Sequence, residues 1–222
     1  MVALAILPLG AVEQHGPHLA SDTDAHLAGC AAAALVRTAG APGSAVVLPT
    51  LPYGASGEHE GFRGTVSAGT EALAGILLEL GRSVSAWADR LLVVNAHGGN
   101  PAALTRSVPL LRTEGRDAAW LACRTAEDPR DTHAGHAETS LMLHLDPARV
   151  RMDRAEAGCT RPLTEILPDL RAGGLAAVSP NGVLGDPTTA TASEGERLWA
   201  ALLDDARARL GRWAPGDDGR LR

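Results

Sequence analysis

Four short apolar runs limit what this chain can become: Ala3 to Leu9, Ala45 to Leu48, Leu91 to Val94 and Ala118 to Cys123. Each has strand length, and helical patterns lie between them. Residues 25–39 are rich in Ala and Leu and stop at Gly40. Thr70 is placed to cap a helix over 71–88 that carries Leu73, Leu77, Leu80 and Val84 on one face. Pro101 starts another helix that runs to about Glu114, and a last one spans about Ser193 to Trp213. Strand and helix therefore alternate, which predicts a three-layer α/β/α architecture with a mostly parallel central sheet. The run Leu91 to Val94 is apolar throughout and β-branched at its end, as a strand buried on both faces should be. Residues 146–190 are loop-rich and give no clear element. The whole reads as one domain over residues 1–213, with a frayed tail at 214–222.

Composition supports a packed core and removes several functions. Of 222 residues, 45% are hydrophobic and 21% charged, but only 3% are aromatic, so Ala, Val and Leu must fill the interior. The net charge of −6 and the lack of a basic stripe argue against a nucleic-acid partner. The chain has no lysine, which excludes Schiff-base chemistry and a phosphate-loop lysine. Cys30, Cys123 and Cys159 are odd in number and far apart, so a disulfide framework is not expected and a reducing cytoplasm is. Cys30 and Cys123 read as small buried residues. No secretory signal and no membrane-length run is visible, so a soluble cytoplasmic protein is expected.

The ends of the strands carry the chemistry. After the first come Glu13, His15 and Asp24; after the third, His97; after the fourth, His133 and Glu138, which open a short helix ending near Leu145. In open α/β sheets, ligands gather at the carboxyl ends of the strands. Glu13 and His15 are two apart, so an extended segment presents both on one face. Asp24 sits at a helix start, where the dipole favours a carboxylate. Carboxylates with imidazoles suit zinc, manganese or ferrous iron. Single members of the set have plainer readings: Asp22 or Asp24 alone is a helix cap, and His18, His26, His136 and His144 read as turn, cap or core residues.

The glycine-rich stretch at 53–69 is long for a connection in a compact domain, which points to a functional loop. Its Ser56, Glu58 and His59 read equally well as substrate-pocket residues or as turn residues. Arg63 is suited to a bidentate contact with a peptide carboxylate, or is an ordinary surface arginine. Gly182 to Thr189 reads as a structural turn, with Asp186 capping it or contacting a neighbouring subunit.

Three motifs in order, E-Q-H-G-P-H-L-x-x-x-T-D from Glu13, N-x-H-G-G-N from Asn95 and H-A-G-x-x-E-T-S from His133, resemble the creatininase family of metal-dependent amidohydrolases over nearly the whole chain. The resemblance implies that Glu13, His15, Asp24, His97 and a late glutamate bind two divalent ions, zinc, iron or manganese. Asp24 would bridge them and His133 would shuttle the proton, while a water between the ions attacks an amide carbonyl. It also implies a homo-oligomer. One position departs. Creatininase itself has a metal-binding glutamate where this chain has Gly99. Glu138 is the substitute ligand, although the resemblance equally allows it to orient His133. The tryptophans that enclose creatinine have no obvious counterparts, which speaks against creatinine as substrate.

Y-G-A-S-G-E-H-E-G-F from Tyr53, G-T-V-S-A-G-T from Gly64 and G-V-L-G-D-P-T-T-A-T-A from Gly182 resemble the mycofactocin-associated branch of that family. That branch implies release of a C-terminal Val-Tyr dipeptide from a modified precursor peptide. The other expectations are a cyclic-amide or formamide hydrolase of the same family, or a metal-binding scaffold without activity.

Overall fold

In the computed structural model, which describes residues 2–38, 43–123 and 128–222, the apolar runs become four parallel strands. They are β1 (Leu4–Leu9), β2 (Ala45–Val47), β3 (Arg90–Asn95) and β4 (Asp117–Ala122), in the spatial order β2-β1-β3-β4. β1 and β3 pair from Ala5 with Leu91 to Leu9 with Asn95, so their carboxyl ends finish level. β3 and β4 run in register from Arg90 with Asp117 to Asn95 with Ala122.

Side chains alternate across a strand, and here both sides are apolar. Leu7, Leu9, Leu91, Val93 and Trp120 pack with Leu73, Leu77, Leu104 and Leu111 of α2 (Thr70–Val84) and α3 (Pro101–Thr113). Leu4, Ile6, Leu92, Val94 and Leu121 pack with Leu35, Leu202 and Leu203 of α1 (Thr23–Val36) and a C-terminal helix over Ala192–Arg212. Two helical layers therefore enclose one parallel sheet, as the strand–helix alternation predicts.

The boundaries shift where local hydrogen bonds decide them. The first helix begins at Thr23, and its expected stop at Gly40 lies outside the described residues. α2 ends at Val84 instead of 88, because Ala86 N–H and Trp87 N–H turn back to Ser83 and Val84 carbonyls. The helix expected from His133 starts later, as α4 (His136–Leu145). Ala134 stands before it with φ of 50°, in the left-handed region that L residues avoid, and it is fully buried. The loop-rich stretch contains a further helix, α5 (Leu163–Gly173), so the C-terminal helix is α6.

Residues 214–222 return along β4 instead of trailing away. Trp120 N–H donates to Gly219 O, Leu221 N–H donates to Trp120 O, and Leu221 is fully buried. The tail thus covers the open edge of β4. Cys30, Cys123 and Cys159 are free thiols, each half-buried.

Candidate metal centre

Past the level ends of β1 and β3, the chain places acidic and imidazole groups together. Glu13 and His15 lie on the segment leaving β1, Asp24 in the first turn of α1, His97 on the segment leaving β3, and Glu138 in the first turn of α4. Glu13, His15, Asp24 and His97 are each no more than 5% exposed. Two groups of ligand atoms result, Glu13–Asp24–His97 and His15–Asp24–Glu138, each with its atoms within 4.8 Å of one another. Asp24 belongs to both. His97 Nδ1 lies 3.2 Å from Glu13 Oε2 and 3.3 Å from Asp24 Oδ2, while His15 Nε2 lies 3.3 Å from Asp24 Oδ1.

The rings are oriented from behind. His97 Nε2 is 3.0 Å from Ala55 O, and a carbonyl only accepts, so Nε2 carries the proton and Nδ1 turns its lone pair to Glu13 and Asp24. His15 Nδ1 is 3.2 Å from Glu13 O, which by the same reasoning frees Nε2 for Asp24 and Glu138. Behind His97, Asn95 Nδ2 donates to His97 O, and Asn100 Nδ2 donates to Gly10 O and Asn95 Oδ1. Asn100 Oδ1 accepts from Ala55 N–H, which ties the segments after β1 and β3 to the glycine-rich loop.

The donor set fits a cation. Both Glu13 carboxylate oxygens, Asp24 Oδ2 and His15 Nε2 are buried without a hydrogen bond, although each faces the other ligand atoms. Buried carboxylates without compensation are costly, so such a cluster calls for positive charge. Protons supply it when nothing else does. Burial opposes charging His15, but Asp24, helped by Glu138 and Glu13, overrides it and raises the pKa to about 10. His97 is also raised well above its usual value, since Glu13 and Asp24 outweigh burial. Burial pushes the Glu138 carboxyl up to about 7, against the pull of His15. Divalent ions would replace those protons.

His133 stands beside this cluster on the segment leading into α4. Its Nε2 is 2.9 Å from Gln14 O, so Nε2 is the protonated nitrogen and Nδ1 faces Glu13 Oε1 at 3.7 Å. Burial, then the neighbouring His15 and His59, hold its pKa well below the imidazole range. Glu138 also reaches this segment, accepting from Ala134 N–H at 2.6 Å. A third possible ligand group, Glu13–His15–His133, includes this histidine. Both roles expected for Glu138 therefore have contacts: its oxygen lies 3.9 Å from His15 Nε2 and it anchors the residue after His133.

Of the expected substrate-pocket residues, Glu58 and His59 line a cavity at the cluster. Glu58 Oε1 is 3.4 Å from His97 Nε2, and His59 Nε2 is 3.3 Å from Glu13 Oε1. Ser56 is fully buried and Arg63 exposed, and neither lines the two cavities that meet at the cluster. Gly99 is explained sterically. A Cβ there would come within 2.2 Å of Ala55 O, 2.5 Å of His97 Nε2 and 2.7 Å of Glu58 Oε1, so no side chain fits.

Gln14 has a part that motif reading did not assign. Its Nε2 donates to Gly182 O at 2.9 Å and reaches His59 Nδ1 at 3.0 Å, while its Oε1 accepts from Gly16 N–H. Gly182, with φ of 76°, leaves no space for a Cβ, which would lie 2.0 Å from Gln14 Oε1. The Gly182 turn thus closes the site from the far end of the chain, and Asp186 caps it by accepting from Thr188 N–H.

The cluster lies where two cavities meet, one of about 320 Å³ and one of about 600 Å³. Glu13, His97, Gly98, Thr132, His133 and Leu163 line both. The smaller is bounded by Asn95, Asp131, Glu138 and Arg220, and the larger by leucines of α5 and by Leu175 and Leu184. Among the described residues, no helix is long and apolar enough to cross a membrane.

Comparison with known proteins agrees with this geometry. The Creatininase family profile, creatinine amidohydrolase, matches residues 2–210. The chain is 54% identical to the mycofactocin precursor peptide peptidase of Mycobacterium ulcerans, over 97% of this chain and 88% of that protein. It is 52% identical to the protein of the same name from Mycolicibacterium smegmatis, over 100% and 90%. Among solved structures it is similar to a manganese form of creatininase, with a TM-score of 0.80 and 26% identity, covering 97% of this chain and 92% of that one. A Zn–Zn form of a creatininase mutant is similar at a TM-score of 0.77 and 25% identity, with the same coverage.

Proposed function

Because the chain belongs to the creatininase family, we propose that it is a metal-dependent peptidase that releases the C-terminal Val-Tyr dipeptide from the modified mycofactocin precursor peptide. One observation carries the reading: two ligand groups share Asp24 at the junction of two cavities, which leaves room for peptide on both sides of the reacting bond. The similarity to the mycobacterial peptidases supports the substrate.

Glu13, Asp24 and His97 would hold one divalent ion, and His15, Asp24 and Glu138 the other; zinc, manganese and iron all suit these donors. Bound there, two ions would supply the acidification of a water and the polarisation of the scissile carbonyl. The chain's own residues handle the proton. His133 keeps Nε2–H on Gln14 O, which leaves Nδ1 free to accept a proton and return it to the departing amine. Burial and the neighbouring His15 and His59 lower its pKa, which keeps the ring neutral in the resting site. Gln14 O holds the ring at Nε2, and Glu138 anchors the backbone just after it through Ala134 N–H. Glu58 and His59 stand at the wall of the larger cavity, where they would meet peptide. Free cysteines accord with a cytoplasmic setting.

The test is direct. Metal analysis of protein prepared with metal should give about two transition-metal ions per chain. Incubation with the modified precursor peptide should release Val-Tyr, and a chelator should stop it. Occupied metal with intact peptide would instead identify a scaffold or a hydrolase of smaller amides.

A further inference from the structure

Helix α5 presents one continuous face to the larger cavity. Leu163, Leu167, Leu170 and Arg171 all line it, at helical spacings i, i+4, i+7 and i+8. Fully buried Ile166, beside them on the same face, packs with Leu175 and Leu184, and Leu163 and Leu170 also rest against that cluster, which anchors the helix. The leucine face stays half-buried, open to the cavity, and its floor is formed by Glu13, His97 and His133. An apolar wall left uncovered beside reactive groups is suited to recognising apolar side chains. The smaller cavity sets Asn95, Asp131, Glu138 and Arg220, groups suited to main-chain amides and polar side chains, among Trp120, Leu163 and small apolar residues.

We propose that the α5 leucine face is the specificity subsite for the two released residues, and that it holds the valine and tyrosine side chains while the rest of the peptide occupies the smaller cavity. The assignment rests on the peptidase reading above. It is the chemical match that decides the direction: the leaving segment offers two large side chains, and the larger cavity brings Leu167, Leu170, Leu175 and Leu184 to them, whereas the smaller has mostly small apolar residues and Trp120 among its charged groups. Arg171, next on the same face, offers guanidinium donors to main-chain oxygens of the bound segment. Leu163, Leu167 and Leu170 are accordingly binding residues for the leaving group, with no part in holding metal.

The test uses the metal-loaded full chain with Leu167→Ala, Leu170→Ala and the volume-conserving Leu167→Met. Each is assayed on the modified precursor peptide, with free Val-Tyr as competing product and Gly-Gly as control. The alanine variants should raise KM and the Val-Tyr inhibition constant by about 10-fold, as loss of an apolar contact does. Their kcat and metal content should stay near wild type, as expected for loss of binding common to ground and transition states. Leu167→Met, which keeps the apolar volume, should raise both constants far less than Leu167→Ala, while unchanged kcat and metal content show that the alanine variants remain folded. If wild type cleaves in a chelator-sensitive way but the alanine variants keep both constants, or lose kcat alone, the subsite assignment is overturned. If wild type does not cleave, the peptidase reading fails and takes the subsite with it.

Discussion

Glu13, Asp24 and His97 are almost wholly buried, and the rings and backbone behind them are tied by Ala55, Asn95 and Asn100. Leu163, Leu167 and Leu170 across the same cleft are half-buried, on a helix anchored by Ile166 and by Leu163 N–H donating to Pro129 O. The donor side has its geometry fixed by hydrogen bonds, which act within tenths of an ångström. The α5 side is fixed by apolar packing, which tolerates changes of shape. A cleft built this way can keep one chemistry while its wall changes to suit another substrate.

The largest effect should come from the shared carboxylate. Asp24→Asn keeps the shape but removes the charge common to both ligand groups, so protein metal content should fall from two ions towards none after desalting, and peptide cleavage with it. Retention of both ions would show that Asp24 is not shared, and the donor side would lose its central tie. His133→Ala comes next. Loss of a general acid–base group should lower turnover by about 10²–10⁴-fold while metal content is unchanged. Loss of metal as well would move His133 into the ligand set that its place beside Glu13 and His15 also permits.

These two sides were unequally visible in the sequence. The donors sit within a few residues of strand ends, and the strands announce themselves as apolar runs, so Glu13, His15, Asp24, His97 and Glu138 could be placed together before any coordinates. Gln14 lay inside the same motif, but its role depends on Gly182, which is 168 positions away and invisible to local patterning. α5 was lost for a different reason. Pro162 and Pro168 punctuate Leu163, Leu167 and Leu170 and read as loop signals, whereas Pro162 in fact serves as the N-cap. Ser56 was singled out for its loop; burial behind the cleft wall is a tertiary property that no spacing reports.

A smaller effect concerns protons in place of metal. In chelated protein, His15 has its pKa raised from 6.5 to about 10, because Asp24 and its neighbours override burial. The folded state therefore holds a proton that the unfolded state has already released above pH 6.5. That contribution to stability is complete below pH 6.5 and is lost as pH rises through about 10. His97 acts in the same sense. Urea unfolding of the chelated protein should thus show a falling midpoint between pH 7 and pH 9. Metal-loaded protein should not follow, since metal competes with protons for the same nitrogens and binds better as pH rises. Parallel curves for the two forms would mean that His15 is not among the ligands.

The smallest effect belongs to the α5 side. Pro168 lies inside α5, where it has no N–H to give to the Thr164 carbonyl, and it is exposed. An interior proline costs a helix about 3 kcal/mol, while its restriction of the unfolded chain returns roughly 0.4–1 kcal/mol. Pro168→Ala should therefore stabilise α5 by about 2 kcal/mol, seen as slower amide exchange over residues 163–173. Because the donor side is tied through Asn95, Asn100 and Ala55 and none of those bonds reaches α5, metal content and the pH dependence of chelated protein should not change. Slower exchange that spread to His15 or His97 would mean that the leucine wall and the donors open together. The wall could then not vary without disturbing the chemistry.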